Sequence, residues 1–470
     1  MMPAADLHER YDVAVVGAGP AGLAAAALCA RAGLTCVLFD DQPSPGGQMS
    51  SSPLSAHAAL GEDDWRGETI VREALASGAH YVPGATVWGL LPPNEIAVSI
   101  DGISRQINAA RIIIATGAIE RPFPIPGWTL PGVMTAGAAQ VLLKSAPVPE
   151  GPTVLAGCGR LLWLLAWQYL NAGVRLDAIL DTTARPNWRR LLPHAAAFAA
   201  SSYITKNLEL IRQVRHAVRV ATGVVELTVQ GGEHIESVTY VTTRGRSERL
   251  PCNTLLLHQG IVPDVNLAVS ANVKHCWSDR QRCWVPRVND FGSTNLPHIA
   301  VAGDGAGIAG AGAAVARGQL AAIAAIRTLS NQASCVKEEH NARRMLHRFE
   351  RGRAFLDLLY QPAPQFRLPR DDTIVCRCEE ITARQVIEAT ALGCPGPNQI
   401  KAFLGCGMGP CQGRFCSLTV TELMAKTRGL SCTDIGYFRT RPPVRPIKLA
   451  EIAGLRSDEA ATKAVVRDSP

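Results

Sequence analysis

No export leader is expected. Met1 to Arg10 is polar and runs straight into an apolar stretch, without the charged, apolar and small-residue succession of a signal peptide. The sequence also has no uncharged apolar run long enough to cross a bilayer. Gly305–Ile326 comes closest, but Arg317 interrupts it and glycines crowd its start. Nor is there a block of basic residues of the kind that marks a nucleic-acid surface, because the formal charge of +7 reads as modest and spread along the chain. No nucleophile and base occur together in a supporting context, so no catalytic residue is assigned. On these absences a secreted disulfide scaffold, a helical membrane protein and a nucleic-acid binder are not expected. The same absences point to a cytoplasmic chain in a reducing compartment, whose thiols stay free or bind metal. Peripheral attachment at the inner face of the cell membrane stays open.

What is present is a chain of 470 residues, too long for one core, so two to four domains are expected. Apolar residues make up 47% and charged residues 19%, as in ordinary folded proteins. Glycine is abundant, with 42 residues, which suits backbones that approach phosphates closely.

Of the 14 cysteines, four near the C-terminus form a pattern: Cys376-Arg-Cys378, then 32 residues, then Cys411-Gln-Gly-Arg-Phe-Cys416. Four thiolates suffice for one [2Fe–2S] cluster. A four-thiolate zinc site is the alternative, and Cys406 competes for a place because Cys406 and Cys411 share the same spacing. Arg377 and Arg414 lie inside the ligand pairs and could offset an anionic cluster.

The N-terminus carries a βαβ pattern: a strand from Tyr11, the turn Gly17-Ala-Gly19-Pro-Ala-Gly22, an alanine-rich helix to Ala32, and a second strand ending at Asp40. The glycines admit a pyrophosphate to the helix N-terminus, and the acid stands where a ribose would be held. A second, weaker unit starts at Thr153 with Gly157-Cys-Gly159, continues as a helix over Arg160–Ala172 and returns as a strand over Arg175–Leu180. Its third glycine position holds Leu162. An adenine nucleotide or NAD(P) site and a relic kept for packing both stay open there. The segment from Arg185 to Ala200 is expected to form a surface helix, and Val218 to Leu250 alternates as hairpins do. Gly303-Asp304 ends a strand ahead of an alanine-rich helix and suits a second flavin contact, with an N-capping aspartate as the bland alternative. Glu338–Tyr360 reads as one charged helix, followed by a proline-bearing linker. Trp163 and Trp167 are four apart on one helix, as core residues are. Arg441-Pro-Pro-Val-Arg-Pro predicts an extended tail.

On Gly17–Gly22, Gly46-Gly47-Gln48, Ile113-Ile-Ala-Thr116-Gly117 and Gly303-Asp304, the N-terminal two-thirds resembles the pyridine nucleotide-disulfide reductase superfamily. The C-terminal module resembles the [2Fe–2S] domain of the bacterioferritin-associated-ferredoxin (BFD) type. Together with Gly407-Met-Gly-Pro-Cys411, the chain is similar to the A-subunit family of opine oxidases, D-hydroxyproline dehydrogenase and hydrogen cyanide synthase. The resemblance implies an α/β fold with two Rossmann-like nucleotide domains plus a small helical [2Fe–2S] domain. It implies residues 1–145 and 259–335 as the FAD-binding domain, 146–258 as the second nucleotide domain, and 336–370 as a helical connector. The cluster domain would be 371–430 and the tail 431–470. FAD would be held by Gly17, Gly19, Gly22, Asp40, Gly47, Gln48, Thr116, Gly117, Gly303 and Asp304. The cluster would be held by Cys376, Cys378, Cys411 and Cys416. An amino-acid-oxidase-like flavoprotein subunit, with a small [2Fe–2S] subunit in some members, would be the partner. A stand-alone NAD(P)H-dependent reductase is the alternative function. The chain departs from the disulfide reductases in one respect: Met-Ser-Ser-Ser-Pro follows Gln48, Cys158 stands alone, and Cys29 and Cys36 read as buried small apolar residues, so disulfide reduction is not expected. His258-Gln-Gly stands where relatives carry Ala-Thr-Gly, and it is read as a structural histidine in preference to a flavin neighbour.

Overall fold

The computed structural model describes residues 7–47, 67–91, 93–145, 151–186, 188–201, 203–330 and 335–455. Gln48 and the chain end from residue 456 lie outside them.

The first nucleotide domain is built on a sheet in the order His80–Val82, Cys36–Phe39, Arg10–Val16, Ile103–Ile114, Glu95–Ile100 and Ala85–Leu91, and Ile299–Val301 also pairs with Ile103–Ile114. Strands 10–16, 36–39, 80–82, 299–301 and the end of 103–114 run parallel. The last three strands of the path form an antiparallel meander. The parallel strands are mostly apolar, with Arg10, Asp12, His80 and Arg111 among the charged or polar exceptions, as strands covered on both faces tend to be.

Helix Pro20–Arg31 and helix Ala311–Leu329 cover one face. Their small residues let the backbones approach closely: a Cβ on Gly318 would stand 2.1 Å from the Ala21 carbonyl oxygen. Ala21, Ala25, Ala26, Ala314, Ala321 and Ala322 fill the contact with Val13, Val15 and Ile113 of the sheet.

The second nucleotide domain is a parallel sheet in the order Arg219–Thr222, Ala178–Asp181, Thr153–Gly157, Thr254–His258 and Val133–Thr135. Three antiparallel strands, Val224–Gly231, Ile235–Thr242 and Ser247–Pro251, realise the alternating pattern seen in the sequence. Two crossing strands, Ala118–Glu120 and Ile261–Pro263, pair with each other and join the two domains. The return strand begins at Ala178, three residues later than its sequence suggests. Leu162 is fully buried, in one apolar cluster with Leu155, Ile179 and Leu256. The bulk that costs the turn its third glycine therefore serves the core.

The charged connector is two helices, Val336–Glu350 and Arg353–Leu359, where the sequence reads as one. Gly352 breaks it by adopting φ +82°, a left-handed conformation that glycine takes without steric cost.

The C-terminal module has a short hairpin, Ile374–Cys376 with Ile381–Thr382, and helices Ala383–Ala391, Pro397–Leu404, Ser417–Arg428 and Cys432–Ile435. A buried ion cluster clamps it to the body. Glu422, on helix Ser417–Arg428, pairs with Arg367 and lies 3.5 Å from Arg282. Removing one partner strands charge in a poorly solvated place. Glu422→Gln is expected to cost about 3 kcal/mol of stability, read as a lower denaturation midpoint of the whole chain.

The tail is extended, as its prolines require, and lies along the first domain. Val444 donates its N–H to the Trp88 carbonyl and buries its side chain in the domain core. A short helix, Leu449–Ala453, ends the described chain.

Candidate functional site

Three glycine-bearing loops meet at the carboxyl ends of strands 10–16, 103–114 and 299–301, where the strand order reverses. That is where open α/β sheets bind ligands. Gly17 has φ +106°, and a Cβ there would meet the Ala115 carbonyl oxygen at 2.5 Å. A Cβ on Gly22 would stand 1.8 Å from the Gly17 oxygen. Both positions admit only glycine, for packing reasons alone. Gly19 is different: nothing lies within 4 Å of its Cβ position, and as N-cap of helix Pro20–Arg31 it makes no side-chain capping bond. The open face and the uncapped N–H groups together fit a pyrophosphate.

The acids of the crevice are more engaged with backbone than their sequence positions suggest. Asp40 is buried and accepts from the N–H groups of Ala18 and Gln42. Burial holds its carboxyl above the usual range against the pull of those bonds. Asp304 accepts from Ala309 N–H at 2.8 Å and Gly310 N–H at 2.9 Å through one oxygen, closing the loop before helix Ala311–Leu329. Thr116 donates its hydroxyl to the Asp264 carbonyl at 3.2 Å, and Asp264 N–H donates to the Gly117 carbonyl at 3.0 Å. Gly47, at φ +66°, packs beside the Gly19 Cα. Gly303 lies against Ala21. Every described residue assigned to the flavin from the sequence is thus at this crevice.

The second glycine turn is differently furnished. Gly157 is pressed against the His258 carbonyl, where a Cβ would fall 1.6 Å from the oxygen, and the Gly159 Cβ position is 3.6 Å from His258 Nε2. His258 is buried at the end of its strand, with Nδ1 2.7 Å from Glu120 Oε1. Glu120 also accepts from Gly137 N–H at 2.6 Å. His258 therefore braces the two crossing strands, as expected of a structural histidine. Cys158 donates its thiol to the Tyr360 carbonyl at 3.6 Å, so the connector lies directly over this turn. Burial pushes that thiol up to about 12, which leaves it protonated and unsuited to thiol–disulfide exchange. A cleft of about 610 Å³ opens beyond Ala178–Asp181 and Arg219–Thr222, lined among others by Thr182, Arg185, Tyr240 and Arg246.

The C-terminal module gathers five thiols. Cys376 sits at the end of a hairpin strand and Cys416 at the N-cap of helix Ser417–Arg428. Their sulfurs and that of Cys406 lie within 4.8 Å of one another, and all three residues are buried. Cys378 is exposed, and its thiol is in hydrogen-bond contact with that of Cys411.

Of the four cysteines chosen from spacing, the fold thus makes a buried pair, 376 and 416, and an outer pair, 378 and 411. It also adds Cys406 to the buried pair. The local cause is Gly405, which ends helix Pro397–Leu404 at φ +70° and turns the chain inward. Hydrogen bonds from Cys406 and Cys416, with the N–H groups of Gly407 and Glu379, pull the Cys376 thiol down to about 2. The same bonds, above all that to Cys376, push Cys406 and Cys416 up. Backbone donors converging on buried sulfurs suit an anionic metal–sulfur centre. Gly409 passes so close to Cys378 that a Cβ would fall 2.2 Å from the Cys378 Cβ.

The two arginines inside the cysteine pairs part company. Arg377 lies over the Trp128 ring, 5.2 Å from its centroid. Arg414 reaches to 3.6 Å from Asp264, both side chains being buried. Asn266 adds a bond from Nδ2 to the Gln412 carbonyl at 2.9 Å. The loop bearing Cys411 and Cys416 is therefore joined, through Asp264, to Thr116 and Gly117 of the glycine-lined crevice. Sequence reasoning missed Asp264. Its only signal is its place two residues before the buried helix Asn266–Ser270, which does not distinguish it from a cap.

Comparison with known proteins places this geometry in a family. The model described as pyridine nucleotide-disulphide oxidoreductase matches residues 11–322, and the sarcosine oxidase A3 domain matches residues 371–455. The A-subunit of opine oxidase from Agrobacterium tumefaciens strain Ach5 is 45% identical over 488 residues, covering 99% of this chain and 96% of the relative. Hydrogen cyanide synthase subunit HcnB of Pseudomonas aeruginosa is 32% identical, covering 94% of this chain and 98% of the relative. Among solved structures, L-proline dehydrogenase from P. horikoshii shares the fold, with a TM-score of 0.68 at 19% identity, over 94% of this chain and 79% of that one.

Proposed function

We propose that this chain, which belongs to the opine oxidase A-subunit family of pyridine nucleotide-disulphide oxidoreductase flavoproteins, is an electron-transfer subunit. It serves a heteromeric dehydrogenase that oxidises an amino acid, imino acid or opine, with an opine or D-hydroxyproline as the substrate. The substrate is oxidised on a partner flavoprotein of the amino-acid-oxidase type, and a small [2Fe–2S] subunit completes the complex in some relatives. The observation that carries the reading is the joint from Thr116 and Gly117 through Asp264 and Arg414 to the cysteine loop. It brings the glycine-lined crevice and the cysteine loop into contact, which is the arrangement an electron relay between two cofactors requires.

When bound, FAD accepts an electron pair and releases it singly, and a [2Fe–2S] cluster relays single electrons. Gly17, Gly19 and Gly22 admit the FAD pyrophosphate. Asp40, Gly47, Thr116, Gly117, Gly303 and Asp304 would line the rest of its crevice, and Gln48, outside the described residues, would join them by its place in the sequence motif. Cys376 and Cys416, buried, would hold the cluster with Cys378 and Cys411, and Cys406 lies within reach of the buried pair as a fifth thiol. The module turns its exposed cysteine, Cys378, outward for the partner and Arg414 inward to the flavin crevice. Arg414 places positive charge beside the cluster and is itself held by Asp264. Arg414→Gln is expected to leave flavin and iron content unchanged and to make the cluster potential more negative, because the reduced, more anionic state loses its cation. Potentiometric titration followed by EPR checks the sign.

The test of the function is anaerobic reduction of the purified chain, followed by visible absorbance and EPR. NADH and NADPH are expected to leave the flavin oxidised, and dithionite to bleach it and bring up a [2Fe–2S] signal. The connector over Cys158 and the loss of the third glycine at Leu162 both disfavour a nicotinamide at the second turn. Rapid bleaching by either nicotinamide would make the chain a reductase in its own right. Turnover of an opine or hydroxyproline by the single chain would likewise count against a subunit role.

A further inference from the structure

Among the described residues, no helix is long and apolar enough to cross a membrane. The charge that reads as spread along the sequence is nonetheless concentrated. Residues 185–219 hold seven Lys or Arg against one acid, Glu209, a surplus of six where the whole chain has +7. Two consecutive helices, Trp188–Ala199 and Tyr203–Ala217, lie within this stretch, inserted between two parallel strands of the second nucleotide domain, and only Arg185 and Arg219 of the seven cations stand outside them, Arg219 on a strand and paired with Glu248. The inner side of the first helix is fastened: Leu191 is buried, and Phe198 stacks on Phe355 of the connector at 4.3 Å and 8°. The outer side is apolar where a surface helix should be polar. Trp188 is 59% exposed and Leu192 65%, one turn apart, and Leu208 on the second helix is 64% exposed. Ala196 and Ala199 continue the stripe, and Pro193 is exposed beside it. Arg185, Arg189 and Arg190 flank it, exposed and without an ion-pair partner among the described residues. Arg212 and Arg215 are exposed on the second helix.

We propose that this helical pair is a membrane-surface anchor, laid on the anionic headgroups of a bilayer with Trp188, Leu192 and Leu208 entering the interface. Exposed Trp and Leu flanked by unpaired arginines are what an interfacial helix presents, burying apolar area while its cations meet phosphates. The near-absence of carboxylates favours a lipid surface over a folded protein, whose surface mixes both signs and would leave some of these arginines facing like charge. Tryptophan is at home at headgroup depth, with its ring in the apolar layer and its N–H in the wet one. The anchor does not depend on the redox reading above.

The test is sedimentation of the full chain, with its cofactors, on phosphatidylcholine vesicles with and without phosphatidylglycerol. The expected result is binding only to the anionic vesicles, weakened by salt. Arg189→Glu with Arg190→Glu should raise the lipid needed for half-binding by about tenfold or more, and Trp188→Ser with Leu192→Ser should weaken binding at every salt concentration. Both variants change exposed side chains, so flavin absorbance and the denaturation midpoint should match the wild type. Failure of the wild type to bind anionic vesicles overturns the proposal, as does equal binding by the wild type and both variants. Loss of partner-flavoprotein binding in the arginine variant, with no vesicle binding by the wild type, assigns the face to a protein and also overturns it.

Discussion

Cys376→Ser is expected to remove the iron–sulfur centre altogether: iron content near zero and no EPR signal after dithionite, with the flavin still bound. The size of the effect follows from where this sulfur sits. Cys376 is buried, touches the thiols of Cys406 and Cys416, and receives the backbone N–H groups of Gly407 and Glu379. It is the sulfur best prepared to carry negative charge, and a serine oxygen is too short and too hard to replace it. Flavin retention is expected because the crevice lies in a different core, with the Asp264–Arg414 pair between the two. Cys406→Ser is the companion measurement. With Cys376, Cys378, Cys411 and Cys416 as ligands, that variant keeps its iron. Loss of iron in Cys406→Ser with retention in Cys411→Ser would move Cys406 into the ligand set and Cys411 out of it.

Gly19→Val is expected to yield a folded, iron-loaded and colourless-in-flavin protein, with FAD affinity down by about a hundredfold or more, since a pyrophosphate that loses its helix-terminal N–H groups loses several charge-assisted bonds of about 1.5 to 3 kcal/mol each. Gly19 isolates ligand binding from folding in a way its neighbours do not. At Gly17 and Gly22 a side chain would collide with backbone oxygens at 2.5 and 1.8 Å, so variants there confuse lost binding with lost structure. At Gly19 a Cβ meets no protein atom within 4 Å, and its φ of −74° suits any residue. Flavin content after purification, read against an unchanged denaturation midpoint, checks the expectation. Full flavin occupancy in Gly19→Val would show that no pyrophosphate approaches this turn.

Much of this protein was written locally and could be read without coordinates. The strand–turn–helix at Gly17–Gly22, the second turn at Gly157–Gly159 and the spacing of Cys376, Cys378, Cys411 and Cys416 are short-range patterns. Steric rules acting over a few residues decide them: a Cβ would collide at Gly17 and Gly22, and an apolar strand must precede a helix N-terminus that holds phosphate. The same holds for the extended proline tail and for the helix and hairpins of the second domain.

What the sequence could not reveal depends on residues far apart in the chain. Cys406 joins Cys376 and Cys416 only because the chain turns inward at Gly405, and no spacing rule between cysteines encodes that turn. Asp264 looks like an ordinary loop acid until the fold brings it to Arg414, 150 positions later. Glu422, in the middle of an ordinary-looking helix, becomes a clamp only when Arg282 and Arg367 close on it. Composition showed a surplus of positive charge, but only the packing of helix Trp188–Ala199 against the connector decided that its apolar and basic side faces outward. By itself the sequence determined the fold class, the dinucleotide-type glycine turn and the cysteine module, because each arises from contacts between neighbours in the chain. Tertiary structure alone decided which thiols come together, how the cysteine loop is joined to the glycine-lined crevice and which surface is left bare, because burial and charge pairing belong to the folded whole.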